Sequence, residues 1–244
     1  MSGEDDFENA YSDQRKADAY SALKFANTYY LAYRDLPDII SKHVTGRRAI
    51  DFGCGAGRST TFLKGLGFDV VGIDISEDML ALARRRDPEG EYSLVEDGRY
   101  EHLGLGEYDL VQSIFPFDNI PGKENRAFIL SRLVELLVPG GKVILLGSNP
   151  EMYTNEWASF STKDYPENLD TKSGDIVWII NTDIEDRRPV EDIIWFEEDY
   201  IELFEAAGLE LVATYRPLGT DDEPFEWVVE TEIAPWFIYV LKKK

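Results

Sequence analysis

Between Arg48 and Ser148 short apolar runs alternate with longer stretches that carry apolar residues on one side only. The runs are "GRRAIDFG", "DVVGIDI", "YSLVED", "YDLVQSIF" and "KVILLGS". They lack the strict alternation of a half-exposed strand, so they predict strands covered on both faces. Helices are predicted between them. "RSTTFLKGLG" is stopped by Gly65 and Gly67. "SEDMLALARRR" starts at an N-cap, Ser76, and has acids in its first turn. "KENRAFILSRLVELLVPGG" is amphipathic and is expected to end at Pro139 and Gly140. Regular alternation of this kind predicts an α/β fold with a doubly wound, mostly parallel sheet.

The flanks follow other patterns. Residues 1–12 read as a frayed acidic end. From Asp13 to about Ser41 a helix is predicted, broken at Pro37, with Leu23, Phe25, Ala26, Tyr29, Tyr30 and Tyr33 on its apolar side. Beyond Ser148 the alternation stops. Residues 149–174 are polar and aromatic without a period, and "DIVWIINTDIEDRRPVEDIIWF" reads as two antiparallel strands joined by an acidic turn. "EEDYIELFEAAG" predicts a helix stopped by Gly208, and "LELVATYRP" and "PWFIYVLKKK" supply the last strands of a seven-stranded sheet. The expected organisation is an N-terminal helical cap segment over 1–45 and one domain over 46–244. A β-rich insertion at about 149–195, after strand five, is expected to cap the substrate.

Composition narrows the classes. A hydrophobic content of 43% with 13% aromatic residues supplies a core. No run of ~18 apolar residues is present, so no membrane span is expected. The start "MSGEDDFENAYSD" lacks the basic and apolar segments of a secretory signal, which points to a cytoplasmic protein. Cys54 is the sole cysteine, and His43 and His102 are the two histidines, so neither an internal disulfide nor a metal site is expected. A net charge of −22 repels DNA and RNA backbones, which argues for a small-molecule partner instead.

The stretch "AIDFGCGAGRST" carries the chemistry. Glycines at 53, 55 and 57 lie where a predicted strand gives way to a helix. There, backbone N–H groups point outward, and glycine removes the Cβ that would hold a ligand off. The dinucleotide fingerprint spaces its third glycine one residue later. Asp51, at the entrance to the loop, would repel a pyrophosphate and favour an ammonium or a sulfonium. Asp74 ends the second predicted strand, where a carboxylate can accept from two ribose hydroxyls.

Together "AIDFGCGAGRSTTFL", "VVGIDISEDMLALAR", "LVEDGRY", "YDLVQSIF" and "LLVPGGKVIL" resemble the ordered motifs of class I S-adenosylmethionine-dependent methyltransferases, small-molecule branch. The resemblance covers residues 46–148 and extends weakly to "FEEDYIELFEAAGLELV". It implies the Rossmann-like methyltransferase fold and S-adenosylmethionine as cofactor. Asp51, Gly53, Gly55 and Gly57, with Cys54 among them, would hold the methionine end. Asp74 would bind the ribose, Ile75 and Met79 would flank the adenine, and Asp97 with Gly98 would meet its amine. Ser113, Ile114 and Phe115 would line the passage to the substrate.

Methyl transfer needs alignment and a dry pocket more than a catalytic triad, and no catalytic residue stands out. His102, Asp118 and Glu124 are candidates for a base. Tyr11, Tyr29, Tyr30 and Tyr33 in the N-terminal segment and Tyr153, Trp157 and Phe160 soon after strand five are candidates for an aromatic cap over the acceptor, Tyr11, Tyr30, Tyr153 and Trp157 foremost. "SIFPFDN" lacks the Asn and first Pro of the motif with which amino-base DNA methyltransferases hold an exocyclic amine. The expected activity is methylation of a small molecule at N or O. The alternatives are a Rossmann-type NAD-linked oxidoreductase and a non-catalytic cofactor-binding protein.

Overall fold

A computed structural model describes residues 26–244. The predicted end at 1–12, the first part of the long helix and Tyr11 lie outside the described residues. Two short helices open the described chain, α1 (Thr28–Tyr33) and α2 (Leu36–His43). The break falls at Arg34–Asp35 and not at Pro37, which sits in the first turn of α2. A proline there removes an N–H that would have no partner inside the helix anyway.

The alternating region then runs β1 (Arg48–Phe52), α3 (Arg58–Gly65), β2 (Asp69–Asp74), α4 (Glu77–Arg86), β3 (Glu91–Leu94), β4 (Tyr108–Ile114), α5 (Lys123–Val134) and β5 (Leu137–Ser148). Ser76 caps α4 by accepting from the Met79 N–H. One boundary differs from expectation: α5 ends at Val134, and Pro139 and Gly140 lie inside β5. The Leu136 carbonyl accepts from the N–H groups of Glu107 and Tyr108, so strand pairing takes hold before the proline is reached.

After β5 come β6 (Phe160–Ser161), β7 (Ile176–Asn181) and β8 (Val190–Ile193), then α6 (Glu197–Ala206), β9 (Leu209–Tyr215) and β10 (Trp236–Lys243). The main sheet has seven strands in the order β3-β2-β1-β4-β5-β10-β9. β1 pairs in parallel with β2 and β4, and β10 runs antiparallel to both β5 and β9. The order reverses at β1, and the loops leaving β1 and β4 lie side by side at that crevice, where such sheets bind ligands. β6, β7 and β8 form a separate antiparallel sheet. The short strand β6 arises from the stretch in which the sequence has no period.

Each face of the main sheet is covered. On one side Ile129, Leu130 and Leu133 of α5 and Leu203 and Phe204 of α6 pack on Ile50, Val111 and Leu145. On the other, Leu31, Leu36 and Ile40 of the first helices join Leu63, Leu110, Ile144, and Val177 and Ile179 of the insertion. The insertion and the N-terminal helices thus share one core beside the ends of β4 and β5.

Candidate active site

The loop after β1 turns through three left-handed glycines, at φ +68° (Gly53), +52° (Gly55) and +80° (Gly57). Each has its own reason to lack a side chain. A Cβ on Gly53 would lie 2.2 Å from the Pro116 ring, which closes the turn after β4. On Gly57 it would lie 2.6 Å from the Tyr92 hydroxyl, so this glycine lets α3 approach β3. Gly55 faces open space except for the Met79 methyl, 3.0 Å away, and lines the cleft.

That cleft has a volume of about 300 Å³ and runs along the ends of β1, β2 and β4. Gly53 and Gly55 form its floor; Asp74, Ile75, Met79 and Asp97 form one wall, and Ile114, Phe115, Pro116 and Asn119 the other. Its lining holds two carboxylates and no lysine, arginine or histidine. Burial raises both carboxyls above the ordinary aspartate range. One oxygen of Asp74 accepts from the Gly55 N–H at 2.8 Å and the other from the Ser76 N–H at 2.9 Å, so the acid also sets the shape of the glycine loop.

Asp51 is placed otherwise than the sequence suggests. It is fully buried behind the loop and does not reach the cleft. Its oxygens accept from Ser59 Oγ at 2.7 Å, Thr60 Oγ1 at 2.6 Å and, at 3.4 Å, Gln112 Nε2. Burial pushes its carboxyl up to about 6 against those donors. Asp51 pins α3 to β1, and its charge lies beneath the glycines without direct access to a ligand. Gly57, Cys54, Gly98 and Ser113 are likewise absent from the cleft lining. Cys54 is buried, and burial pushes its thiol well above the ordinary range. A Cβ on Gly98 would strike the Phe128 ring.

A second, narrower cavity of about 60 Å³ adjoins the cleft, and Phe115 and Asn119 line both. Phe115 follows β4 with φ +73°, a conformation uncommon for a side chain of this size. Its ring lies 4.8 Å from Trp236 and 6.1 Å from Tyr29, centroid to centroid. Tyr29, Phe160 and Trp236 complete an aromatic wall; Ile179, Asn181, Arg188 and Asp192 come from the insertion.

Of the aromatic residues singled out in the sequence, Tyr30, Tyr153 and Trp157 line neither cavity. Tyr30 packs on Phe225 at 4.9 Å, and Trp157 is buried with its indole N–H donated to the Met152 carbonyl. Tyr153 is buried behind the second cavity, its hydroxyl donated to Asp192 at 3.2 Å. Tyr29 and Phe160, of the same set of rings, line the wall. Among the candidate bases, His102 and Glu124 are exposed and away from both cavities, whereas Asp118 lines the second. Asp118 is fully engaged: Oδ1 accepts from the Tyr200 hydroxyl, and Oδ2 from the Ser148 N–H and hydroxyl. Asp192 and Asn119 were missed. No local motif marks them; they become neighbours only when β8 folds back over the turn after β4.

Among the described residues no group of acids, histidines or cysteines could hold a metal, and no helix is long and apolar enough to cross a membrane.

Residues 50–145 match the family described as "Methyltransferase domain". The ubiquinone biosynthesis O-methyltransferase of Burkholderia vietnamiensis is 26% identical over 181 residues, 72% of each chain. Among solved structures, an S-adenosylmethionine-dependent methyltransferase from Clostridium acetobutylicum aligns with a TM-score of 0.59 and 14% identity, over 86% of this chain and 92% of its own. Another, from Mesorhizobium loti, aligns with a TM-score of 0.60 and 19% identity, over 86% and 97%. These two share the fold.

Proposed function

We propose that this chain is a class I S-adenosylmethionine-dependent methyltransferase acting on a nitrogen or oxygen of a small molecule, that its cofactor lies in the larger cleft and that its acceptor enters the narrower cavity. The observation that carries this placement is the lining of the larger cleft: bare glycine backbone, two carboxylates, apolar flanks and no cationic side chain. No cationic side chain of this lining would offset a pyrophosphate; Arg58 and Arg86 line a smaller pocket that shares Gly53, Gly55, Ile114 and Phe115 with the cleft. A cationic nucleoside with an amino-acid end suits it, so the residues present fit the group. Asp74 would accept from the ribose hydroxyls, Ile75 and Met79 would flank the base, and Asp97 would meet its amine. Gly53 and Gly55 would let the amino-acid end approach the main chain. Asp51, Cys54, Gly57, Gly98 and Ser113 would act by shaping this surface from behind.

When bound, the cofactor supplies a methyl carbon on a sulfonium sulfur, open to a single displacement. The chain's contribution is alignment and exclusion of water. Phe115 stands between the two cavities and would direct the acceptor toward the methyl group, while Tyr29, Phe160 and Trp236 would keep water out. The N-terminal helices and the insertion at about 149–195 would act together as the acceptor's cap.

Calorimetry with S-adenosylhomocysteine and with NAD tests the placement: the first should bind and the second should not. Asp74→Ala should weaken S-adenosylhomocysteine binding by ~1–3 kcal/mol, the cost of losing a charged hydrogen-bond partner. Unchanged affinity would remove the ribose from Asp74.

A further inference from the structure

Asp192 is the acid in the narrower cavity that the rest of the fold leaves most available. Three carboxylates line this cavity, those of Asp118, Asp186 and Asp192, against one cation, Arg188. Asp118 is committed to Tyr200 and Ser148, and Asp186 is paired with Arg188 at 2.6 Å. Asp192 takes hydrogen bonds from the Tyr153 hydroxyl and the Asn119 side chain, and no cation offsets its charge. Asn119 Oδ1 is itself buried without a partner at the junction of the two cavities. The rings of Tyr29, Phe115, Phe160 and Trp236 line the same cavity. A spare carboxylate, an unpartnered amide oxygen and π faces all accept from, or attract, an N–H cation.

We propose that the acceptor is a small amine, that its nitrogen is seated on Asp192 with Asn119 Oδ1 as a second acceptor, and that Asp192 is the base of the reaction. This rests on the methyltransferase reading above. At neutral pH the amine arrives as an ammonium. The Asp192 carboxylate takes one proton, an O–H bond forming as the N–H bond breaks, and the nitrogen regains its lone pair. That pair forms the new bond to the methyl carbon while the pair of the broken carbon–sulfur bond stays on sulfur. The product leaves as a methylammonium, and Asp192 releases its proton to solvent.

Burial and the neighbouring Asp118 push the Asp192 carboxyl up to about 7, in the range where a base is effective. The groups facing it are Tyr153 from the turn after β5, Asp118 and Asn119 from the turn after β4, and Asp186 and Arg188 from the loop before β8. The carboxylate form predominates above that value, so amine binding should weaken as pH falls through about 7.

The test uses the full chain saturated with S-adenosylhomocysteine, and calorimetry with three matched pairs: benzylamine and benzyl alcohol, 2-phenylethylamine and 2-phenylethanol, cyclohexylamine and cyclohexanol. At pH 8 at least one amine should bind about tenfold or more tightly than its hydroxyl partner, the scale of one charge-assisted contact. That preference should fade toward pH 6 and vanish in Asp192→Asn, with S-adenosylhomocysteine affinity unchanged in both cases. In a separate assay, with labelled S-adenosylmethionine in place of S-adenosylhomocysteine, labelled methyl should pass to the preferred amine. Equal or better binding of the hydroxyl compounds in every pair, or a preference that survives Asp192→Asn, overturns the amine assignment and leaves the methyltransferase intact. Failure to bind S-adenosylhomocysteine itself strikes the methyltransferase reading instead. If Asp192→Asn does not fold, the pH series on the unaltered chain decides.

Discussion

Gly55 and Gly57 stand two positions apart with the same left-handed backbone, yet their substitution should separate binding from stability. Gly55 lines the cleft, and only the flexible end of Met79 comes near its Cβ direction. Gly55→Val should therefore abolish S-adenosylhomocysteine binding, by filling the ligand's approach, while adding the strain of a branched residue at φ +52°. Gly57 is outside the cleft, and its Cβ would meet Tyr92 and Ala83. Gly57→Ala should lower stability by ~1–3 kcal/mol, as overpacking between elements does. Its residual affinity, measured well below the melting temperature, should stay within a few-fold of the parent. Titration and thermal melting of the two variants check this; equal loss of affinity in both would mean that the loop moves as one body. The three glycines and Asp74 were legible because a strand-to-helix turn of this kind is a local device. The reach of Asp51 was not legible. Sequence placed an acid at the loop, but whether it faces the ligand or the helix behind depends on Ser59 and Thr60 capturing it first.

At the scale of elements, one side chain clamps the cap together. Glu230 lies in the segment between β9 and β10 and has no exposed surface. Oε1 accepts from the Thr28 hydroxyl at 2.6 Å and the Ala158 N–H at 2.7 Å; Oε2 accepts from the N–H groups of Val228 and Val229. It thus joins the start of α1, the insertion and the returning loop. Glu230→Ala leaves the buried Thr28 hydroxyl and the half-buried Ala158 N–H without their acceptor, which should cost about 2 kcal/mol of stability. Because Tyr29 follows Thr28 and Phe160 follows Ser159, the acceptor wall should loosen as well. The expected signature is a lower melting temperature with faster amide exchange at Ala158 and Val228, and little change at β1 and β4. Unaltered exchange at Ala158 would rule out the clamp. The alternating strands and helices were readable because each rests on its own period and caps. The cap was not, because its contacts join residues distant in the chain: Asn181 donates to the Tyr29 hydroxyl, and Thr28 reaches Glu230. Of the rings that the sequence put forward, Tyr29 and Phe160 line the cavity while Tyr153 and Trp157 support it from behind, a division that no pattern along the chain marks.

Across the whole molecule, 47 acidic residues face 25 lysines and arginines, so the folded chain carries strong self-repulsion at neutral pH. The carboxyls that burial raises, those of Asp51, Asp74, Asp97, Asp118 and Asp192, act in the same direction. Asp51 is pushed up to about 6 and Asp192 to about 7, both mainly by burial. An acid whose value rises on folding adds to stability below its unfolded value near 4, and that contribution is lost as pH rises through the folded value. Acids held low by their partners, such as Asp199 beside Lys123, lose their contribution only in more acidic solution. His43, lowered by burial, opposes the trend at the acid edge of the window. The melting temperature should therefore rise as pH is brought from 8 to 6. Salt divides the two sources. At ~1 M ionic strength surface charges are screened beyond about 3 Å, whereas buried groups are not. Salt at pH 8 should recover the part due to surface repulsion, and the slope that persists in salt should belong to the buried carboxyls. Asp192→Asn, melted across the same pH series in high salt, should show a shallower slope between pH 8 and 6 than the parent chain. An identical slope would mean that Asp192 titrates near its ordinary range, with solvent reaching it more freely than the walls of the narrower cavity permit.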